Sequence, residues 1–152
     1  SRQEKNSNYH LFKNGVKPMW EDPVNAAGGR WIITLRDRGR TAGSRLIHEA
    51  LLDRSWMWLV LALIGETLDD NDLVTGAVCS LRGKGDRIAI WTRRKEPIDE
   101  LNAMGEKLLD VLNLQHEPSV QMEFSFNFGS KDKPHLYTKK SMAGLASTAP
   151  SA

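Results

Sequence analysis

Cysteine and long apolar runs are both scarce in this sequence. The single cysteine, Cys79, excludes an internal disulfide framework and is typical of a reducing compartment. The longest uninterrupted apolar run, Trp56 to Ile64, is far shorter than the ~20 residues that span a bilayer. The first residues do not have the pattern of a signal peptide. We therefore expect a soluble protein that works inside the cell.

The net charge of the chain is also small. Lys and Arg number 21 against 19 Asp and Glu, so the formal charge of +2 does not indicate a general nucleic-acid binder. The basic residues are instead clustered, and Asp86 is the one acid among them. A local field of this kind is enough to attract a phosphate group. The cluster consists of Arg82, Lys84, Arg87, Arg93, Arg94 and Lys95.

The stretch from Val78 to Trp91 predicts a β-hairpin. Two alternating runs flank the glycine-rich sequence 83–86, which is typical of a hairpin loop. Side chains alternate between the two faces of a strand, so each run divides into two sets. The apolar set predicts a core face and consists of Cys79, Leu81, Ile88 and Ile90. The opposite set is small, basic and aromatic, and consists of Ser80, Arg82, Arg87, Ala89 and Trp91.

Periodicity predicts further strands over 9–12, 30–35 and 119–128. In the strand at 30–35, Trp31, Ile33 and Leu35 face one way and Arg30, Ile32 and Thr34 the other. Helical spacing predicts a helix over about 44–68 and another that begins near Pro97. The first helix has a core stripe of Leu52, Trp56, Val60 and Leu63. The second has an apolar face of Ile98, Leu101, Leu108, Leu109 and Leu112.

These elements predict an α+β fold. We expect a curved, mainly antiparallel sheet, with helices on its convex face and a concave face open to ligand. The predicted organisation is a flexible segment over 1–8, one domain over 9–128, and a basic, largely flexible tail over 129–152. Arg30, Ser80, Arg82 and Trp91 are expected on the open face, with Trp20 and Glu21 in a Pro-bounded loop at its rim.

The residues expected on the open face suit a flat, anionic ligand. An indole offers π area for stacking, worth roughly 1–3 kcal/mol per base, and attracts a cationic ring by about 0.5–2 kcal/mol more. A carboxylate beside it accepts hydrogen bonds from the N1 and N2 donors of guanine, and basic side chains hold phosphates. For Trp20 two interpretations stay open at this point: it stacks on a ligand, or it covers the core at the rim of the sheet.

Four motifs in a fixed order are similar to those of a known family. They are Tyr-His-Leu-Phe-Lys-Asn-Gly-Val-Lys-Pro-Met-Trp-Glu-Asp from Tyr9, Gly-Gly-Arg-Trp-Ile-Ile-Thr-Leu from Gly28, Leu-Ile-Gly-Glu from Leu63, and Arg-Gly-Lys-Gly-Asp-Arg-Ile-Ala-Ile-Trp-Thr from Arg82. In this order they closely resemble the eukaryotic translation initiation factor 4E family, the messenger RNA cap-binding proteins. The resemblance extends from about Tyr9 to Leu114 and becomes loose in the last strand and the tail.

The resemblance implies a role for each matched residue of the cap site. Trp20 would stack on 7-methylguanine, Glu21 would pair with its N1 and N2 edge, and Trp91 would contact the N7-methyl group. The phosphate bridge of the cap would be held by Arg82, Lys84 and Arg87, with support from Arg30. Ser80 stands where the family often has Asn.

The resemblance also implies a second surface, on the first long helix. The family binds there the helical motif Tyr-x4-Leu-apolar, which the scaffold factor 4G shares with translational repressors. The matching positions are Trp56, Met57, Trp58, Leu61 and Gly65. Trp58 departs from the family, in which many members have an acid; it is either a buried aromatic or a larger apolar anchor for the partner helix.

The family stacks the cap between two tryptophans, and the first of them precedes anything in this sequence. The chain therefore resembles the later two-thirds of the family fold, whether by truncation, splitting or altered numbering. If nothing supplies the missing part, we expect affinity to be about ten- to a hundredfold weaker.

Two other classes of function compete with cap binding. A general single-stranded RNA binder would use the same face without preference for the N7-methyl group. An enzyme is not favoured, because 83–86 lacks the spacing of a P-loop and His10, His48, His116 and His135 have no ligand spacing. We expect no metal and no cofactor. The resemblance implies a cytoplasmic location, with the nucleus as a second compartment.

Overall fold

The computed structural model of the chain describes residues 7–18, 22–36, 39, 41–68, 72–82 and 85–127. These residues form five strands and three helices. In chain order they are β1 (Ser7–Phe12), α1 (Pro23–Ala26), β2 (Gly29–Leu35), α2 (Ala42–Ile64), β3 (Val74–Leu81), β4 (Asp86–Thr92), α3 (Ile98–Val111) and β5 (Val120–Phe126). The predicted hairpin is β3 and β4, and the two long helices are α2 and α3.

The strands form one antiparallel sheet in the order β1-β3-β4-β2-β5. A tight turn at Asn14 and Gly15 follows β1, as the sequence predicted. Gly15 has φ +83°, a conformation that glycine adopts without steric cost. β1 begins at Ser7, inside the segment predicted to be flexible. Residues 1–6 and the tail from 128 onward lie outside the described residues.

One face of the sheet is the core. β2 alternates strictly between buried and half-buried residues, and Trp31, Ile33 and Leu35 are the buried ones, as predicted. The same alternation in β4 buries Ile88 and Ile90. In β5 the alternating pattern predicts a buried face of Val120, Met122, Phe124, Phe126 and Phe128. The first three are buried and Phe126 is half-buried, while Phe128 lies outside the described residues. Period-two patterning therefore assigned the two faces of these strands.

Helix α2 begins after Thr41, whose side-chain oxygen accepts a hydrogen bond from the backbone N–H of Ser44 at 3.1 Å. The predicted core stripe of this helix was wrong in part. The buried residues are Leu52, Ser55, Leu59 and Ala62, whereas Trp56, Val60 and Leu63 are only half-buried. The helix is apolar on almost every side, so periodicity could not determine which side faces the sheet.

Helix α3 packs its predicted face on the core, with one exception. Leu101, Leu108 and Leu109 are buried, but Ile98 in the first turn is exposed. The indole N–H of Trp31 donates to the carbonyl of Leu101 at 3.0 Å, which joins α3 to β2. The fold is α+β, an antiparallel sheet with helices packed on it, as the sequence predicted. None of the helices that the structure describes is long and apolar enough to cross a membrane.

Candidate functional site

The face of the sheet opposite the core is lined by cross-strand rows of residues, and two of these rows contain the predicted site residues. The register of the strands places one residue from each of the five strands in each row. Arg87 faces this side with its side chain exposed, and Ser80 beside it is half-buried. The first row is Phe12, Gly76, Trp91, Arg30 and Ser125. The other is Asn8, Ser80, Arg87, Thr34 and Gln121.

Trp91 lies at the centre of the first row and is fixed by its neighbours. Only 7% of its surface is exposed, although the sequence predicted it on an open face. The Arg30 guanidinium lies over the indole, 5.2 Å from the ring centroid, and Phe12 meets the indole edge-on at 5.6 Å. Gly76 between them allows this packing, because a Cβ there would lie 2.3 Å from the Phe12 ring.

Arg30 is a cation without compensating charge in the described part of the chain. Burial, and then the positive charge of Arg87, lower the pKa of the Arg30 guanidinium. Its buried Nε and the buried indole Nε1 of Trp91 have no hydrogen-bond acceptor among the described residues. Two like charges and two buried donors without partners favour an anionic ligand on this face.

Arg82 lies at the end of the hairpin, beside the start of β1. Its guanidinium donates to the side-chain oxygen of Asn8 at 2.8 Å and to the carbonyls of Leu81 at 2.9 Å and Ser7 at 3.3 Å. These acceptors hold the side chain beside the row that contains Arg87. Arg30, Arg82 and Arg87 therefore belong to one side of the sheet, as the sequence predicted.

The other half of the predicted basic cluster does not belong to this face. Arg93 donates to the Asp72 carboxylate at 3.3 Å, and Arg94 donates to Glu100 at 3.1 Å. Lys95 lies over the Phe126 ring, 5.2 Å from its centroid. The cluster read from the sequence is thus divided, because β4 separates its two ends.

The loop that contains Trp20 and Glu21 is closed at its base. The Lys17 backbone N–H donates to the Asp22 carboxylate at 3.0 Å, and the amide of Asn25 donates to the Lys17 carbonyl at 2.9 Å. Asn25 is fully buried and accepts from the Thr75 hydroxyl at 2.8 Å. The backbone N–H groups of Lys17 and Val24 lower the pKa of Asp22. Trp20, Glu21 and Lys84 themselves lie outside the described residues.

Sequence reasoning missed the contribution of Phe12, Gly76 and Asn25. Phe12 was assigned only to a strand, and Asn25 was not singled out. Phe12 acts through its cross-strand neighbour Gly76, and Asn25 of α1 acts through hydrogen bonds to Lys17 and to Thr75 of β3. A glycine inside an alternating strand is the one indication that was present in the sequence, since it often marks a close approach.

The residues of the predicted partner surface on α2 differ in their exposure to solvent. Met57, Leu61 and Gly65 are exposed, whereas Trp56 and Trp58 are half-buried and pack against the core. Arg54 lies over the Trp58 ring at 5.1 Å. Further exposed apolar residues on this helix were not predicted, and they are Leu46, Ile47 and Ile64.

The fold and the site define a class of protein: an α+β module that offers basic and aromatic residues on the free face of its sheet and apolar residues on the helix behind it. Comparison with known families gives the particular one. The chain matches the family model of eukaryotic initiation factor 4E over residues 1–142. It belongs to the eukaryotic initiation factor 4E family.

Relatives of known name are similar over most of this chain. Eukaryotic translation initiation factor 4E of Bos taurus is 45% identical over 132 residues, which are 86% of this chain and 56% of the relative. Factor 4E-1A of Danio rerio is 48% identical over 132 residues, 86% of this chain and 57% of the relative. The chain thus spans little more than half the length of these relatives.

Solved structures share the fold. The complex of C. elegans eIF4E-3 with the 4E-binding protein Mextli has a TM-score of 0.71 and 32% identity, covering 86% of this chain and 69% of the other. The complex of Ascaris suum eIF4E-3 with the m7G cap has a TM-score of 0.68 and 35% identity, covering 85% and 67%. In the described part of this chain, no group of three or more His, Cys, Asp or Glu residues could hold a metal ion.

Proposed function

We propose that this chain binds the 7-methylguanosine cap of messenger RNA on the free face of its sheet and a partner helix on α2, in translation initiation or its regulation. The observation that supports cap binding most directly is Arg30, a half-buried cation over Trp91 beside the like charge of Arg87. A relative of the same fold was solved with the m7G cap. The proposed function is binding, with no chemical step.

The base of the cap is assigned to Trp20, Glu21 and Trp91. Trp20 would stack on the methylated ring, which is cationic and so attracts an indole. Glu21 would accept the N1 and N2 hydrogens of guanine. Trp91, held between Phe12 and Arg30, would contact the N7-methyl group with the small part of its surface that is exposed. Hydrogen bonds at Lys17, Asp22 and Asn25 close the base of the loop to which Trp20 and Glu21 belong.

The phosphates are assigned to Arg82, Arg87, Lys84 and Arg30. Arg87 is exposed on the free face, and Arg82 is held beside the same row by Asn8. Guanidinium groups bind phosphate oxygens through paired N–H donors, so each contact is charge-assisted. Arg30 lies deeper, and the uncompensated charge there is best neutralised by the phosphate nearest the nucleoside.

The partner helix is assigned to α2. Exposed Met57 and Leu61, with half-buried Trp56 and Trp58 beside them, form an apolar surface on the side of α2 away from the sheet, and Gly65 ends it. A relative of the same fold was solved with a 4E-binding protein. A scaffold of the 4G type or a 4E-binding repressor is the proposed partner, and the proposed location is the cytoplasm, with the nucleus second.

Cap specificity is tested by titrating the protein with 7-methylguanosine triphosphate and with GTP. We expect the methylated nucleotide to bind at least about tenfold more tightly, because its ring is cationic. Glu21→Gln should weaken binding of the methylated ligand, while Glu106→Gln, at an exposed acid on α3, is a matched control. Isothermal titration calorimetry gives the constants.

Equal affinity for the two nucleotides would contradict cap recognition. That outcome would instead support a general single-stranded RNA binder, which uses the same aromatic and basic residues but has no use for the methyl group.

A further inference from the structure

Asp86 is an acid placed among the phosphate-binding cations. It is four residues from Arg82 and adjacent to Arg87 in the sequence. A carboxylate that reached these guanidinium groups would pair with them and compete with a phosphate, since both anions use the same donors. The structure shows what prevents this competition.

The carboxylate of Asp86 is directed to the other side of the sheet. Asp86 is the first residue of β4 and shares the core-facing side of the strand with Ile88 and Ile90, whereas Arg87 faces the free side. Only 10% of the Asp86 side chain is exposed. Both of its oxygens have partners there.

Among the residues that the structure describes, the hairpin supplies a partner to Oδ1 and helix α2 supplies one to Oδ2. Oδ1 accepts the backbone N–H of Arg82 at 2.8 Å, which closes the loop between β3 and β4. Oδ2 lies 2.7 Å from Nε2 of His48. A carboxylate oxygen accepts, so Nε2 of His48 donates. The His48 side chain is 12% exposed.

His48 lies on a part of α2 that has little other contact with the protein. From Ala42 to Ala50, every residue except Ser44 and His48 is exposed, and the buried residues of the helix begin at Leu52. The first turns of α2 therefore extend beyond the core, and among the described residues His48 joins them to the hairpin by its hydrogen bond to Asp86.

We propose that His48 is a positioning residue of the phosphate-binding face: together with the pleat of β4 and the Arg82 N–H, it keeps the Asp86 carboxylate on the core side of the sheet and so leaves the guanidinium groups of Arg82 and Arg87 available to the phosphates of the ligand. This inference rests on the proposed function, because it assigns His48 a role in phosphate recognition. His48 does not contact the ligand and acts only through Asp86.

The proposal is tested with His48→Leu, Asp86→Asn and the double variant, each titrated with 7-methylguanosine triphosphate and with the 7-methylguanosine nucleoside. His48→Leu removes the donor to Oδ2, so the carboxylate can turn toward the guanidinium groups while Oδ1 keeps the Arg82 N–H, and we expect about tenfold weaker triphosphate binding and unchanged nucleoside binding. Asp86→Asn removes the competing charge and keeps an acceptor for the Arg82 N–H. We expect it to bind triphosphate about twofold more tightly.

The double variant separates positioning from folding. If the released carboxylate is the cause, Asp86→Asn restores triphosphate affinity in the His48→Leu background. If the pair had only a structural role, the double variant would bind triphosphate no more tightly than His48→Leu does. His48→Gln keeps a donor near the Nε2 position and should bind triphosphate like the wild type, and His116→Leu, at an exposed histidine, is the matched control.

The outcomes distinguish this inference from the proposed function. A wild-type protein that binds no methylated nucleotide overturns the proposed function. A wild type that binds, together with variants that lose triphosphate and nucleoside equally or a double variant without recovery, overturns the role of His48 alone. Weaker triphosphate binding by Asp86→Asn would also overturn it.

Discussion

At the scale of single residues, the position of Cys79 in the sheet determines the pKa of its thiol. The thiol is on the core side of β3, and the residue is 3% exposed. Burial, and then the negative charges of Asp86 and Asp53, raise the pKa of Cys79 to about 11. Up to about pH 8 the thiol is protonated in the folded and unfolded states alike. Between about pH 9 and 11 only the unfolded chain ionises, so the folded state loses stability as pH rises.

We expect Cys79 to react slowly with iodoacetamide in the folded protein. At pH 8 alkylation should be about a hundredfold slower than in the chain unfolded by guanidinium chloride, because burial both suppresses the thiolate and blocks the reagent. Intact-mass measurement over time gives the rates. Similar rates in the two states would show that β3 opens readily at this position.

Trp91 and Arg30 were both identified from the sequence, but their relation was not. Strand alternation predicted that they lie on the same side of the sheet. The structure shows that β2 and β4 are neighbours and that Arg30 and Trp91 lie directly opposite each other. The burial of Trp91 depends on Phe12, which is distant in sequence and reaches it only across Gly76 of β3. No local pattern contains that information.

At the scale of elements, α2 has two apolar sides with different roles. Leu52, Leu59 and Ala62 are buried against the sheet, while Met57 and Leu61 are exposed. An exposed apolar row along a helix marks an interaction surface when it is continuous. The row also includes Ile64.

Charge placed within the partner surface of α2 should abolish peptide binding. We expect Leu61→Glu to weaken a peptide with the motif Tyr-x4-Leu-apolar by at least about thirtyfold, because a buried apolar anchor becomes a desolvated charge. Fluorescence anisotropy of a labelled peptide measures the effect. Leu46→Glu, at a similarly exposed position on the same helix (66% against 60%), is the control. Equal loss in both variants would contradict the assigned position of the site.

The sequence predicted α2 itself but not its orientation. Apolar residues occur on almost all sides of this helix, so the stripe of Trp56, Val60 and Leu63 matched a helical period as well as the observed one does. Ser55 and Ala62 are buried although both are small, and their side chains are less apolar than those of Trp56 and Leu63, which are half-buried. Burial of this kind is a property of packing, and no periodicity reports it.

At the scale of the whole molecule, one core joins the sheet to both long helices. Trp31 of β2, Leu59 of α2 and Leu108 of α3 belong to the same cluster of buried residues. The Trp31 indole also donates to the carbonyl of Leu101 in α3. Elements that share a core lose their stability together, so the described elements should unfold in one transition.

We expect Trp31→Phe to lower the free energy of unfolding by about 2–4 kcal/mol, because it leaves a cavity and removes the buried hydrogen bond from the indole to the Leu101 carbonyl. Urea denaturation followed by far-UV circular dichroism and by tryptophan fluorescence should give coincident transitions in the wild type and in the variant. Trp58→Phe, at a half-buried ring, should shift both curves less. Separate transitions for the two probes would contradict a single cooperative unfolding transition.

The sequence by itself determined the strands, the two long helices, the faces of β2, β4 and β5 and the family, because these follow from local periodicity and contiguous motifs. Only the tertiary structure decided that Trp91 is buried beneath Arg30, that the basic cluster divides between two regions, and that His48 binds Asp86. Each of these depends on the order of strands in the sheet and the side of α2 that packs on it. Those relations join residues far apart in the chain, and so they leave no pattern that can be read along it.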